Sequence, residues 1–367
     1  MDIKDFIAGQ SVEYHMDRFH NILIHLLQSL ENQQNFSEKE IEQKGISIAN
    51  SIVHSAVENL FRVCLTKKSL MNERKQERKK FEKYHYKLWR SGLDLLDTFI
   101  YLVLGLGEEF NSHYRPEAAK HQEYRFDVLT KLHARAICVS EEILTLLRSG
   151  YADGAHARWR TLYELSVIAN FISPQKCDNL DSYNDLAKRY LEHEIIESYR
   201  AMRQYQEKAE QLDQDKFSEE QFSDLTKHRD KLCNQYGETY DGDYGWATKF
   251  LGKKKVTFAD IESATEMSFM RPYYKMASHN IHAGVKGVSF RLGVPEGMNI
   301  LLAGYSNYGL AEPAQGTARS LKQTTTALFR LHMNIDATIY DQVLSLFVDE
   351  ISKTFVTISE NLDSQQK

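Results

Sequence analysis

Two sets of polar side chains in this sequence repeat every four residues, which places each set along one face of a helix. His156, Arg160 and Glu164 form the first set. The turns that follow, from 165 to 172, are apolar on nearly every side, and a helix with that pattern is usually buried. An unpaired buried charge is strongly destabilising, so Arg160 needs an anionic partner. This set therefore predicts either a structural ion pair or a site that holds a phosphate.

The second set lies near the carboxyl end of a predicted helix, just before Gly284, and consists of Tyr274, Ser278 and His282. An imidazole, a hydroxyl and a phenol on one stripe could move protons or hold a phosphate. The ordinary explanation of the histidine is equally open, because the carboxyl end of a helix favours a protonated imidazole. His279 lies about 60° off the stripe and is at best a supporting residue.

A third set is basic and lies between Lys67 and Arg90. This segment carries ten basic and three acidic side chains, a local charge of +7. Such a helix could bind the phosphate backbone of a nucleic acid, or it could be a solvated amphipathic helix with Glu–Lys pairs. Trp89 could stack on an unpaired base or pack in the protein core. The residues predicted to contact nucleic acid are Arg74, Lys75, Arg78, Lys79, Lys80 and Trp89.

The sequence predicts no metal site and no cofactor. Three pairs of residues place two possible ligands on one helix face, but a ferritin-like site needs two matched Glu-x-x-His helices and two further Glu. These pairs are Asp17 with His20, Glu82 with His85, and His279 with His282. The phosphate loop, the dinucleotide fingerprint and the G-x-S-x-G elbow do not occur. Any cleavage of RNA is therefore expected to be metal-independent.

The elements that position these residues are predicted to be helices, because apolar residues recur at alternating steps of three and four. We expect an all-α bundle of long helices, with one small β-hairpin allowed near 285–302. A last helix from about Ala318 to Leu362 should contain a bend or break. The other predicted helices span roughly 12–33, 38–66, 72–104, 117–148, 152–172, 180–213, 217–235 and 258–283.

Two stretches rich in Gly and polar residues indicate soft boundaries, Gly105–Pro116 and Gly237–Lys255. They predict an N-terminal region (1–110) with the basic helix and a central region (111–236) with the Arg160 helix. The C-terminal region (237–367) holds the Tyr274 helix and the long last helix. The central and C-terminal regions are expected to form one domain.

Composition limits the class of protein. The 367 residues are 42% hydrophobic and carry a net charge of −5, which fits a globular protein and argues against a generic polyanion binder. The four cysteines form no CxxC pair and fit a reducing compartment. No signal peptide is evident, and the most apolar stretch, Thr98–Gly107, is shorter than the about 20 residues that span a bilayer. We expect a cytoplasmic protein with no membrane partner.

One part of the chain, about 120–290, resembles a bacterial family of uncharacterised helical proteins. In that family a turn of small residues leads into a helix with an R-x-x-x-E core. A lone Trp and a Y-x-x-x-S-x-x-x-H stretch follow. Here the turn and the helix core lie within Leu146–Glu164. The matching residues are Arg160, Glu164, Trp246, Tyr274, Ser278 and His282.

That family is similar in shape to HEPN-type helical domains, many of which are RNases in toxin and anti-phage systems. The resemblance implies an effector that acts on RNA or a nucleotide. Arg160 would hold a phosphate and Glu164 would orient Arg160. His282 would act as acid or base, while Ser278 and Tyr274 would position the substrate.

A contrasting hypothesis is a non-enzymatic interaction or sensor module. The polar stripes would then form a buried network that fixes helix register, and the basic helix would be a docking surface. A protein partner or a homodimer is open under both hypotheses. Under both, the helix near 152–172 should pack against the helix near 258–283, with the two stripes facing each other.

Overall fold

The computed structural model describes residues 38–66, 68–176, 179–295 and 297–365. The chain divides into two compact units, residues 1–81 and 82–367. The predicted central and C-terminal regions both lie in the second unit, and the three-region division stays a prediction. The helix predicted over 12–33 and the Asp17–His20 pair lie outside the described residues.

The first unit contains helix α1 (Glu38–Thr66) and the start of helix α2 (Lys68–Lys120). The predicted helix over 38–66 is confirmed. The five basic side chains predicted to contact nucleic acid lie on the first part of α2 and are all exposed. They are Arg74, Lys75, Arg78, Lys79 and Lys80, and we call this set the basic surface.

The second unit contains the rest of α2 and further helices, with short 3-10 turns between several of them. The helices are α3 (Tyr124–Arg148), α4 (Ala152–Ile172), α5 (Leu180–Glu192), α6 (Glu194–Lys208), α7 (Glu219–Tyr236), α8 (Thr248–Leu251), α9 (Phe258–Ala264), α10 (Arg271–His279), α11 (Val285–Ser289), α12 (Ala311–Phe329) and α13 (Ile335–Ser364). No strand occurs among the described residues, so the predicted all-α fold is confirmed. Of the helices that the structure describes, none combines the length and hydropathy needed to cross a bilayer.

The core of the second unit lies where α3, α4 and α12 pack together. Every side chain of helix α4 after Gly154 is buried or partly buried, as its apolar sequence predicts. Trp159 and Tyr163 are among its largest fully buried side chains. Each large apolar side chain buried in this way contributes roughly 1.5–3 kcal/mol, so α4 is held firmly in place.

The break in helical structure expected at Gly105–Pro116 does not occur, because α2 continues through this segment to Lys120. Gly107 serves close packing instead of a turn. A methyl group at this position would overlap the imidazole ring of His133 on α3. Pro116 removes one backbone donor, but the helix ends four residues later, so little of it is disturbed.

Two long predicted helices are broken. The one over 180–213 is divided into α5, α6 and a 3-10 turn, and the one over 258–283 is divided into α9 and α10. Between α9 and α10, Glu266 has a φ of 59°, which a continuous right-handed helix cannot contain. The break expected in the last helix is confirmed, since a 3-10 turn at Arg330–His332 separates α12 from α13.

The β-hairpin allowed near 285–302 does not form in the described part of that segment. Val285–Ser289 is the helix α11, and residues 290–295 and 297–302 are turns and irregular chain. Gly309, at φ 81°, packs so closely on the backbone of Leu292 that a side chain would collide with it. The Leu292 amide donates to Asp153 Oδ1 at 2.9 Å. The segment is therefore held by contacts with the rest of the second unit and not by strand pairing.

Candidate functional site

Helices α4 and α10 face each other, and three of the predicted site residues meet between them. Arg160 Nη2 donates to Tyr274 Oη at 2.8 Å. Tyr274 Oη donates to Glu164 Oε1 at 2.6 Å. The same carboxylate oxygen lies 3.2 Å from Arg160 Nη2. The expected packing of the two helices is confirmed, and we call these three residues the polar network.

The polar network is partly buried, and its polar groups form hydrogen bonds with one another. The Tyr274 hydroxyl both accepts and donates, so its proton is committed to Glu164. Burial and the hydrogen bond to Glu164 raise the pKa of Tyr274 to about 12, so the phenol stays protonated at neutral pH. One donor is left over. Arg160 Nε is buried and has no hydrogen-bond partner among the described residues.

A second ion pair lies beside the polar network, and sequence analysis did not identify it. Glu262 on α9 is 1% exposed. It accepts from Tyr163 Oη at 2.7 Å and from Arg271 Nη1 at 2.8 Å. Burial, more than the hydrogen bond to Glu262, raises the pKa of the Tyr163 phenol. The Arg271 guanidinium also lies 5.5 Å from the centre of the Tyr274 ring, which joins the ion pair to the network.

The structure does not bring Ser278 and His282 into the polar network. Ser278 Oγ donates to the Tyr274 carbonyl at 2.8 Å, a bond within its own helix. Helix α10 ends at His279, and the His282 side chain is exposed beyond that end. The predicted helix to 283 was therefore too long at its carboxyl end. The four-residue stripe holds for Tyr274 and Ser278 only.

Trp89 lies in the core, which was one of the two alternatives for it, and cannot stack on a base from there. It is fully buried, and its ring centre lies 5.5 Å from that of Phe355. Trp89 Nε1 donates to the Asn307 carbonyl at 3.0 Å. The predicted nucleic-acid contacts are thus reduced to the basic surface.

The described residues contain no group of three or more His, Cys, Asp or Glu side chains that could hold a metal ion. His85, from one of the candidate pairs, is buried. Its Nδ1 lies 2.8 Å from Asn307 Oδ1 and its Nε2 lies 2.8 Å from the Leu147 carbonyl. This imidazole ties α2 to the last turn of α3 and to the loop that carries Asn307, which is a structural role.

A cavity of about 320 Å³ lies between α4 and α12, one helical turn before Arg160. His156 forms its inner end, is 1% exposed, and stacks on Trp159 with ring centres 5.5 Å apart. His156 Nε2 lies 3.5 Å from Glu312 Oε1. Neither atom has a hydrogen-bond partner in the part of the chain that the structure describes. The sequence placed His156 on the α4 stripe but gave no indication of Glu312.

The charges at this inner end depend on burial. Burial lowers the pKa of His156 to about 4, so the imidazole is neutral at pH 7. Burial also raises the pKa of the Glu312 carboxyl. Both shifts disfavour a charged pair, which agrees with the long distance between the two side chains. The remaining residues that line the cavity are Met270, Tyr273, Ala311, Gln315, Gly316 and Arg319.

Residues 126–299 match the sequence profile of DUF5677, a family of unknown function. The matched segment is just under half of the 367 residues and runs from α3 past α11. It includes the polar network and His156, whereas Glu312 lies beyond it. This match overlaps the segment of about 120–290 in which a resemblance to uncharacterised helical proteins was predicted, whereas the similarity to HEPN-type domains stays a prediction. No curated protein and no solved structure matches the chain.

Proposed function

We propose that this protein is a non-enzymatic helical sensor module in which the polar network holds α4 and α10 in register. The observation that carries the proposal is the state of the Tyr274 hydroxyl. It accepts from Arg160 and donates to Glu164, so the groups expected to hold a phosphate and position a substrate bind one another. Partly buried networks of this kind specify a single arrangement of helices.

The competing hypothesis is a HEPN-like effector, a metal-independent ribonuclease in a bacterial toxin or anti-phage system. That chemistry needs a cation and an acid or base at one phosphate. Arg160 Nη2 already has two oxygen neighbours, and His282 is exposed past the end of α10. These two features favour the sensor module.

A sensor also needs a route from its ligand to the rest of the molecule. The cavity and the polar network share α4, which supplies His156 to one and Arg160 to the other. They also share the start of α10, where Tyr273 lines the cavity and Tyr274 belongs to the network. A ligand that moves Tyr273 would therefore act directly on the network. Under the proposal, the start of α10 is the element that couples the two sites, and coupling of this kind requires that it can take two arrangements.

For a partner, we propose that the basic surface docks a polyanion, with single-stranded RNA as the probe of choice. Its five cationic side chains are exposed on successive turns of α2. Lys and Arg on one segment of helix can follow a phosphate backbone without any catalytic group. A cytoplasmic location, with a protein partner or a second copy of the chain, is compatible with this role.

Cleavage of total RNA and tRNA by the purified protein distinguishes the sensor hypothesis from the effector hypothesis. We expect wild type, Arg160→Ala and His282→Ala to show the same background cleavage. Tyr274→Phe should lower the free energy of unfolding by about 1–2 kcal/mol, because it removes both hydrogen bonds of the phenol. His282→Ala should unfold as wild type does, since its side chain is exposed. Tyr101→Phe, on a side chain that is 76% exposed, is the matched control.

The opposite pattern would establish the effector. In that case Arg160→Ala and His282→Ala would both abolish cleavage of RNA by the wild type, while each variant kept the melting temperature of the wild type.

A further inference from the structure

Two residues that line the cavity between α4 and α12 each carry a buried polar atom that lacks a hydrogen-bond partner among the described residues. The two atoms are His156 Nε2 and Glu312 Oε1. A buried polar atom without a partner costs roughly 1–3 kcal/mol. Two such atoms on residues that line one cavity are expected where a ligand supplies the missing bonds. His156 is 1% exposed, so its orientation is set by the core and not by solvent.

The chemistry of these two atoms defines one edge of the ligand. A carboxylate oxygen accepts, so the ligand must present an N–H or O–H donor to Glu312. A neutral imidazole offers a single N–H, and with that proton on Nε2 the ligand must present an acceptor to His156. The two protein atoms are 3.5 Å apart, so the donor and the acceptor must be neighbours on the ligand. Heterocyclic bases carry such neighbouring pairs on their edges.

The wall and the mouth of the cavity define the rest of the ligand. Arg319 is exposed, and its one polar contact among the described residues is Met270 Sδ at 3.7 Å. A guanidinium that is not committed to a carboxylate can hold a phosphate. Tyr273 is 46% exposed and lines the same cavity, so it offers a flat surface to a planar ring.

We infer that the cavity binds a purine nucleoside monophosphate, with the edge of the base at His156 and Glu312 and the phosphate at Arg319. A purine is favoured over a pyrimidine because two fused rings stack over a larger area on Tyr273. A volume of about 320 Å³ is at the lower end of the range for small-molecule sites and suits one nucleotide. This inference rests on the proposed function, since it names the ligand of the proposed sensor.

The close packing around the cavity keeps its shape. Trp159 Nε1 donates to Ser320 Oγ at 3.1 Å, which fixes the ring that stacks on His156. Gly316 allows α12 to approach that ring, because a methyl group there would lie 2.7 Å from Trp159 Nε1. The inner end of the cavity is therefore preformed, and a ligand would pay little to order it.

The test is calorimetric titration of the full chain with AMP, adenosine and ribose 5-phosphate, and with GMP as the second purine. We expect saturable binding of AMP or GMP by wild type. Glu312→Gln keeps the size of the side chain and should weaken both AMP and adenosine roughly tenfold. Arg319→Ala should weaken AMP roughly tenfold and leave adenosine unchanged. Glu207→Gln and Arg203→Ala, on exposed side chains of α6, are the matched controls.

Circular dichroism establishes that each variant is folded before its titration is compared. Wild type that binds neither purine nucleotide at about 5 mM would overturn the inference, as would Glu312→Gln binding AMP with wild-type affinity. Tight binding of ribose 5-phosphate alone would overturn the assignment of the base. RNA cleavage that depends on Arg160 and His282 would instead refute the sensor module and leave nucleotide binding to be judged by the titrations.

Discussion

The ion pair between Glu262 on α9 and Arg271 on α10 stabilises the segment between these two helices. The Glu262 side chain is 2% exposed and Arg271 is 31% exposed. Arg271→Ala would leave the carboxylate with the Tyr163 hydroxyl as its remaining side-chain donor among the described residues. We expect a loss of about 3 kcal/mol in the free energy of unfolding, measured by urea denaturation, because a buried carboxylate loses its cation.

Arg200→Ala is the control for that experiment. Its partner Asp243 is 84% exposed, so this ion pair should contribute less than about 1 kcal/mol. Equal losses for Arg271→Ala and Arg200→Ala would mean that water reaches Glu262 in solution.

Two buried histidines make stability depend on pH. Burial lowers the pKa of both His133 and His156 to about 4. In the unfolded chain a histidine has a pKa near 6.5, so between about pH 4 and 6.5 the unfolded state binds more protons. Stability is therefore complete above about pH 6.5 and falls as the pH falls toward 4. Each histidine should account for about 2 kcal/mol of loss by pH 5.

The contribution of His133 is measured by comparing unfolding at pH 7 and pH 5 in wild type and His133→Gln. The glutamine amide can still bond to Thr325, which lies 3.2 Å from His133 Nε2. The variant should show a smaller loss between the two pH values. If both proteins lose the same free energy, His133 does not titrate differently in the folded and unfolded states.

Sequence spacing could predict part of the candidate site and not the rest. Arg160, Glu164 and Tyr274 were found because each belongs to a set of residues spaced by four. Such residues lie on one face wherever the predicted helix forms. Glu262 and Glu312 come from other elements and belong to no stripe. Their importance arises from burial, which depends on tertiary packing that a single sequence does not display.

At the scale of elements, two glycines of α2 have opposite roles. Gly107 lies against His133, and a methyl group there would overlap the buried imidazole. Gly107→Ala should therefore destabilise the protein by about 1–3 kcal/mol through overpacking. A methyl group at Gly105 would meet no atom within 4 Å, so Gly105→Ala should stabilise the helix by up to about 1 kcal/mol. Thermal unfolding of the two variants measures the difference.

The same two glycines explain why no loop forms at Gly105–Pro116. Two glycines and a proline within twelve residues are typical of a loop, because both residue types have a low propensity to form a helix. Tertiary packing overrides it here, because the second glycine is required where α2 passes α3. If Gly107→Ala were stabilising as Gly105→Ala is expected to be, α2 and α3 would have to separate readily enough to admit the added methyl group.

Long apolar periodicity made other elements predictable. Helix α4 was predicted with both of its ends, because the turn of small residues before it and the apolar turns within it are strong local features. The ends of α9 and α10 were not predictable to the same degree. A left-handed residue that is not glycine, Glu266, breaks the pattern there, and propensity gives no indication of it.

The net charge of the whole molecule and the charge of the basic surface have opposite signs. The chain carries −5 overall, whereas the basic surface concentrates five exposed cations on a short part of α2. Long-range repulsion of a polyanion is screened beyond about 10 Å at 0.1 M salt, so a local patch can still bind one. Affinity for RNA should therefore come from this segment and depend strongly on salt.

The last prediction measures that dependence by fluorescence anisotropy with a single-stranded RNA at several salt concentrations. Neutralising five phosphates gives a log–log slope of about −3.5 for a single strand. Replacing the whole basic surface by Glu should abolish binding, because every cation becomes a repulsive charge. The matched control replaces five exposed basic residues of the α6–α7 region, namely Arg203, Lys208, Lys216, Lys227 and Lys231. Substitutions at a docking site must lower the affinity for RNA more than an equal change of net charge elsewhere. A slope near zero, or the same loss of affinity in both variants, would therefore mean that the basic surface is an ordinary solvated part of the helix.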